Sequence, residues 1–494
     1  MPKKLPIFYS ALLLTGVNLL LRSVGTSFQI YISNRLGAAG VGLLQLVMSV
    51  GSLAMVTGMA GIRTATMYLT AEELGKKKPR NVPWVLSGCF LYSILFSGSV
   101  ATALYFFAPW IAENWIGDIR TVASLRLFAG FLPATCLCGV MTGYFTAASR
   151  IVTLAAVEVA EQLASMSLTM AALALWGGAD AGRACQCVVF GSGAGALLTL
   201  LCLTVLRLKE HPRSGPRLPV LHRLQATAFP LAKGDVLRSG INTVENLTVP
   251  KRLALHLSTP EPLAAFGCVN GMVFPIMMFP ACILYALAEL LIPELARCAA
   301  AGSNHRIRYL VKRGLRVALI YGILFSGLLF LNAQELCIKL YSNPDAGRQL
   351  RLYSLMIPML YCDAIVDAMT KGLGQQKICV RYNILTSLLD VFFLYLLLPK
   401  YGMTGYFLSF LATHLLNFLL SLRQLLKITD QRIPFFIPVS AAAAALGAVW
   451  GASGFGHSLL RCIIYPAALF SLLYLLKIIG REDFVWVKNL VRSP

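Results

Sequence analysis

Charge is what this sequence has least of. Only 13% of its 494 residues are Asp, Glu, Lys or Arg, and acids are the scarcer sign, 21 against 43 bases. With 57% hydrophobic residues and a mean hydropathy of +0.71, an ordinary soluble globular protein is excluded. Histidine is rarer still. The six are dispersed, with no HExxH, Walker loop or GxSxG, so no zinc-hydrolase, phosphate-loop or serine-nucleophile chemistry is indicated and no catalytic residue is expected. The thirteen cysteines are scattered through apolar runs. Their close pairs, Cys136/Cys138 and Cys185/Cys187, lack neighbouring histidines and read as small hydrophobes, so no metal site is expected.

What the chain does have is about fourteen apolar segments of spanning length, among them approximately 6–32, 41–70, 226–250, 383–399 and 402–426. The expected fold is an all-α polytopic membrane protein. The start, MPKKLPIFYSALLL, lacks a small-residue cleavage site and is taken as the first span. Most Lys and Arg fall in alternate loops, notably KKKPR at 76–80 and the stretch 207–223, which predicts both termini on the cytoplasmic side of the cell membrane. Anionic leaflet lipids suffice as partners for this basicity, so no nucleic acid is needed. The chain is taken as a monomer.

The Pro-rich basic stretch suggests a division. Residues 1–206 form one six-helix lobe, 207–225 a cytoplasmic linker, 226–426 a second six-helix lobe, and 427–494 two extra helices and a short tail. Weak internal matches support a duplication: Arg22 precedes Arg35-Leu36 much as Arg238 precedes Arg252-Leu253, and Met141-Thr142 recurs as Met369-Thr370. A parallel repeat of this kind builds a central transport site between halves.

Two spans carry polar stripes at helical spacing. The first presents Thr15, Asn18, Arg22, Thr26, Gln29 and Ser33; the seventh presents Asp235, Arg238, Asn242, Glu245 and Asn246. Ionisable groups at membrane depth cost about 2.5–3.5 kcal/mol each, so such faces are expected to line a cavity. Lys233 points elsewhere and can snorkel. Arginine suits a phosphate or diphosphate because its planar fork gives bidentate, permanently charged contacts. Arg22, Arg238 and Arg63, with Asn18, Gln29 and Asn242, are therefore candidate substrate contacts. The alternative is structural pairing, for instance Arg238 with Asp235, and Arg63 could instead meet lipid headgroups. Asp235, Glu245, Glu161, Asp363, Asp367 and Asp390 are candidate coupling-ion or structural carboxylates, with Na⁺ or H⁺ as the ion and no cofactor. Pro275 and Pro280 predict a kink in span eight, as a hinge or a static bend. Gly191, Gly193 and Gly195 predict close helix packing.

The stretches LLRSVGTSFQIYISNRLGAAGVGLLQLV, GIRTATMYLTAEE, NGMVFPIMMFPACILYALAELLIPELAR and MTKGLGQQKI resemble the stage V sporulation protein B group of polysaccharide transporters. That group belongs to the MOP superfamily with MurJ-like lipid II flippases and multidrug exporters. The resemblance covers nearly all of spans one to twelve. It implies a flippase, not an enzyme, that moves an undecaprenyl-diphosphate-linked saccharide, of lipid II type and linked to the spore cortex, by alternating access. It also implies that Arg22 lines the cavity. The sequence departs from the group's pattern at Arg63, where a proline is expected, and after Glu161-Gln162-Leu163, which lacks an arginine. Two rivals remain: a multidrug/cation antiporter of the same superfamily, using carboxylates as its main site, and an integral-membrane glycosyltransferase acting on the same lipid carrier.

Overall fold

The computed structural model describes residues 7–76, 78–148, 150–177, 180–209, 220–256, 261–431, 436–476 and 478. The linker expected at 207–225 thus lies largely outside the described residues. All regular structure among the described residues is helical. By proximity the chain divides into two units: Met1–Gly267 with Leu394–Gly402, and Cys268–Phe393 with Met403–Pro494.

The first unit contains α1 (Ile7–Met59), α2 (Ile62–Gly75), α3 (Val82–Trp110), α4 (Val122–Ala147), α5 (Ile151–Trp176), α6 (Ala181–Leu208) and α7 (Val220–Leu253). A 30 Å hydrocarbon core is crossed by about 20 helical residues. The apolar run Leu20–Gly75, 56 residues long, therefore holds two spans. It breaks at Gly37, whose φ of 67° and ψ of 174° leave helical geometry, between the two segments read from the sequence. Apolar side chains from α2, α3, α4 and α6 form one core cluster, with Ile62, Val85, Cys89, Val140, Phe145 and Leu203 all buried; Leu154 of α5 and Leu224 and Ala228 of α7 join it. Lipid tails are as apolar as leucine, so van der Waals fit holds such helices together, and small residues allow it. A Cβ added at Gly193 would lie 2.3 Å from the Phe131 ring, and one at Gly191 only 1.9 Å from Thr169 Oγ1. The expected close packing of α6 is present.

The second unit begins within a bent helix whose arms, Pro262–Met278 and Ala281–Ala300, meet at 62°. These arms comprise α8 (Pro262–Cys268), α9 (Phe274–Met278) and α10 (Ala281–Ala300). The bend falls at Pro280, as its sequence suggested. Carbonyls at the bend accept from tyrosines: Tyr361 donates to Met277 O at 2.7 Å and Tyr321 to Pro280 O at 2.7 Å. Such outside partners make a break tolerable at membrane depth. The chain continues through α11 (Asn304–Tyr341), α12 (Pro344–Ser354), α13 (Ile357–Gly372), α14 (Gln376–Thr429), α15 (Phe436–Ser453) and α16 (Ser458–Leu475). Helix α14 leaves helical geometry at Gly402, with φ 56° and ψ −134°, and so also holds two spans. An alanine row on α15, Ala441, Ala444, Ala448 and Ala452, is buried against Tyr465, Leu469 and Leu473 of α16 and against α11. The Tyr465 hydroxyl donates to Ile323 O at 2.8 Å, and its ring fills the space beside Gly327.

Nine helices among the described residues are long and apolar enough to cross a membrane, or eleven with the two bent pairs. Splitting the runs that hold Gly37 and Gly402, and adding the polar α7, recovers the fourteen segments of the sequence. Many large apolar side chains stay exposed, among them Phe106, Leu459 and Trp450, as a lipid-facing surface requires.

Candidate functional site

Helix α7 is too polar to pass as an apolar span, and α1 determines where its polar face lies. The Thr243 hydroxyl donates to Ser49 O at 3.1 Å, and Asn246 Nδ2 donates to Ser49 Oγ at 3.0 Å. At its start, Arg223 bridges to α2, with Nη1 donating to Glu73 Oε1 at 3.0 Å and Nη2 to Glu72 Oε2 at 2.7 Å. Asn81 donates to the other oxygen of buried Glu73 at 2.8 Å. Between these attachments α7 turns Asp235, Arg238, Ser239 and Asn242 into a cleft of about 350 Å³. Ser52, Val56 and Met59 of α1 form its floor, and Gly61 to Thr64 its other wall.

That wall exists because the chain turns sharply between α1 and α2. Ala60 has φ 42° and Gly61 has φ 73°, and a Cβ on Gly61 would meet Ala228 O of α7 at 2.6 Å. Glycine therefore permits both the left-handed backbone and the close approach of α7. The turn sets Arg63 in the first turn of α2, beside N–H groups that no side chain caps. The uncapped turn carries the positive end of the helix dipole. Two guanidiniums and a helix start thus share one cleft. Among the described residues, no ion pair joins Asp235 to Arg238 and none engages Arg63, so the pairing considered for Arg238 and Asp235 is not made. Half-buried Glu158 of α5 lies within electrostatic reach of Arg63. Like charges in one cleft repel, and a bound anion relieves that repulsion.

Of the residues singled out from the sequence, the cleft gathers Arg63, Asp235, Arg238 and Asn242. Arg22 and Gln29 lie elsewhere on α1, before the Gly37 break. Arg22 is exposed and engaged with other groups, and half-buried Gln29 is engaged as well. Next to Arg22, Gln162 Nε2 of α5 donates to Leu21 O at 3.0 Å, which brings the Glu161 turn alongside. Glu245 is half-buried and engaged, and does not line the cleft. The side chain of Asn18 lies outside the described residues. Sequence reading missed Ser49, Ser52 and Ser239. The first two belong to a row on α1, Gln45, Ser49, Ser52, Val56 and Met59, whose spacing marks one face.

The second unit holds its own polar centre. Buried Asp390 accepts at Oδ1 from Ser409 Oγ at 2.6 Å and from Thr413 Oγ1 at 3.1 Å. One residue on, His414 Nδ1 lies 3.0 Å from Phe410 O, its ring stacked on Phe410. Asn417 donates to Asp363 Oδ2 at 3.3 Å. Asp367 instead pairs with Lys371 Nζ at 2.5 Å. The three candidate carboxylates therefore differ in kind: Asp367 is neutralised by a cation, whereas Asp363 and Asp390 are held by neutral donors. Among the described residues no three His, Cys, Asp or Glu converge as a metal site.

Membrane-spanning helices, a polar cleft within one unit and a buried carboxylate centre in the other define a polytopic membrane transporter. The chain belongs to the MatE family, whose model matches residues 15–175 and 251–396. It is similar to stage V sporulation protein B of Bacillus subtilis (strain 168), 21% identical over 408 residues, covering 80% of this chain and 78% of that protein. Its fold is similar to that of the lipid II flippase MurJ in an inward closed conformation, at TM-score 0.73 and 12% identity, covering 94% of this chain and 98% of that one. It is also similar to a multidrug resistance MATE family transporter of the MOP superfamily in an inward-facing conformation, at TM-score 0.64 and 12% identity, over 85% and 100% of the two chains. The two solved structures are, by name, a flippase and a transporter.

Proposed function

We propose that the chain is a flippase for an undecaprenyl-diphosphate-linked saccharide of lipid II type, working by alternating access. The observation that carries this reading is the pair Arg63 and Arg238, in one cleft beside an uncapped helix start and joined to no carboxylate among the described residues. A diphosphate offers several anionic oxygens to such a pair, and its polyprenyl chain can stay in lipid while the head is bound. Arg22 and Gln29, on the part of α1 before the Gly37 break, are proposed as further substrate contacts outside that cleft. The similarity to stage V sporulation protein B favours a role in sporulation, and the spore cortex is the proposed destination of the saccharide. Asp390 and Asp363 are the proposed centre for a coupling Na⁺ or H⁺. The proposed form is a monomer in the cytoplasmic membrane, and the distribution of Lys and Arg favours both termini inside and anionic lipids around it.

The test is complementation of a strain depleted of its lipid II flippase, with Arg63→Ala, Arg238→Ala and Arg22→Ala at matched protein levels. Loss of rescue by the cleft variants supports the proposal, and full rescue by both sinks it. The multidrug/cation antiporter is the second reading, favoured by Asp235 in the cleft, Glu158 near Arg63 and the similarity to a multidrug transporter. Uptake of organic cations into vesicles in exchange for an ion, with no response to lipid-linked sugars, would decide for it.

A further inference from the structure

We propose that the first unit carries a second ligand site, a seat for one anionic glycerophospholipid between α4, α5 and α6. A cavity of about 570 Å³ opens there, within the size range of small-molecule sites, about 300–1,000 Å³. It lies at the opposite end of α3 from Asn81, and tryptophans mark the level. Trp110 and Trp115 stack edge to face at 5.7 Å where α3 ends, and Trp176 closes α5 at the cavity rim. Tryptophan collects where headgroups meet the hydrocarbon. Leu175 and Trp176 are 73% and 65% exposed, so the mouth faces lipid instead of the protein interior.

The lining is amphipathic in the sense a phospholipid requires. Arg183 and Gln186 sit near the start of α6, at the tryptophan level, while Leu127, Leu175 and Phe190 supply an apolar wall. Phe190 lies seven residues beyond Arg183, about 10 Å deeper along the helix, which is most of one leaflet's hydrocarbon depth. Its ring meets Phe131 at 6.2 Å and Trp176 at 6.4 Å, so the apolar side is firmly built. The charge is uncommitted. Neighbouring Asp118 is taken by Arg120, whose Nη2 donates to it at 2.6 Å, and Asp180 accepts from Gly182 N at 3.1 Å as the cap of α6. Among the described residues Arg183 has no acidic partner. A phosphodiester at the Arg183 guanidinium, with one acyl chain along Leu127 and Phe190, satisfies both halves of the lining.

Native mass spectrometry of the purified full-length protein tests this without reference to transport. Titration with phosphatidylglycerol should reveal one molecule held more tightly than the rest, and phosphatidylcholine should not match it. Arg183→Gln should weaken that molecule roughly tenfold, the fold-change of one charge-assisted hydrogen bond. Arg183→Lys should retain most of the affinity. Arg126→Gln, at the same membrane level but lying over the Tyr105 ring, should leave it unchanged. Leu175→Trp, which fills the mouth without altering charge, should also weaken it. Binding that ignores Arg183→Gln, or falls equally with Arg126→Gln, would overturn the proposal. So would displacement of the phospholipid by inorganic phosphate or by an equimolar polyprenyl diphosphate.

Discussion

The side-chain amide of Asn246 donates to the Ser49 hydroxyl at 3.0 Å, while Ser49 donates to Gln45 O at 2.8 Å. This short relay fixes the rotation of a polar helix on an apolar one, and so decides that Arg238 and Asn242 face the cleft. Interhelical hydrogen bonds in membranes average about 0.6 kcal/mol. A double-mutant cycle of Ser49→Ala and Asn246→Ala, read by unfolding in detergent, should return a coupling near that value. A larger effect is expected on transport, because released rotation of α7 misplaces Arg238 and Asn242 at once.

Within the cleft, charge changes discriminate between substrates of opposite sign. Arg63→Ala or Arg238→Ala should lower flipping of a lipid-linked diphosphate roughly tenfold to a hundredfold, with partial recovery in the lysine variants. Asp235→Asn should leave it nearly unchanged. An organic-cation antiporter would show the reverse pattern, losing transport with Asp235→Asn and keeping it with Arg238→Ala. A vesicle transport assay with both substrate classes measures this.

At the other end of α7, Arg223→Ala leaves buried Glu73 with Asn81 alone. Arg223 is itself 35% exposed, so water recovers part of the lost interaction. A destabilisation of about 1–2 kcal/mol is expected in a detergent thermal melt. Adding Glu73→Gln should restore part of it, since the neutral side chain no longer needs a cation.

Tight helix contact makes α6 intolerant of bulk. Gly193→Leu should abolish accumulation of folded protein, because its Cβ already meets the Phe131 ring. Gly193→Ala should cost about 1–3 kcal/mol. Gly98, with open space around it, serves as the control and should accept alanine. Monodispersity on size exclusion reads out both.

In the second unit, Asp390→Asn keeps the shape of the centre but removes its negative charge. Transport should lose its dependence on the ion gradient, whereas Asp367→Asn should retain that dependence and lose only the local pair with Lys371. The check is flux measured with the Na⁺ and H⁺ gradients imposed separately.

Much of this was legible because apolar length and charge placement follow directly from bilayer thickness. The breaks at Gly37 and Gly402 fall between segments that hydropathy already separates. The polar stripe of α7 was equally plain. What periodicity omits is the opposing surface. It marks Arg22 and Arg238 as polar-face residues of two helices, yet Gly37 separates Arg22 from the part of α1 that α7 touches. The left-handed turn at Ala60 and Gly61, which brings Arg63 in, has no periodic signature. Nor does spacing reveal that Asp367 has a lysine and Asp390 two hydroxyls, since Ser409 and Thr413 lie beyond the Gly402 break.

The tyrosines at the Pro280 bend bear on how such a molecule can move. A proline kink left to itself flexes, because its orphaned carbonyls can trade solvent or lipid neighbours at little cost. Here Tyr361 of α13 and Tyr321 of α11 brace it from two sides. The elbow should therefore travel as one stiff piece with those helices, and Tyr361→Phe with Tyr321→Phe should turn a fixed angle into a loose joint.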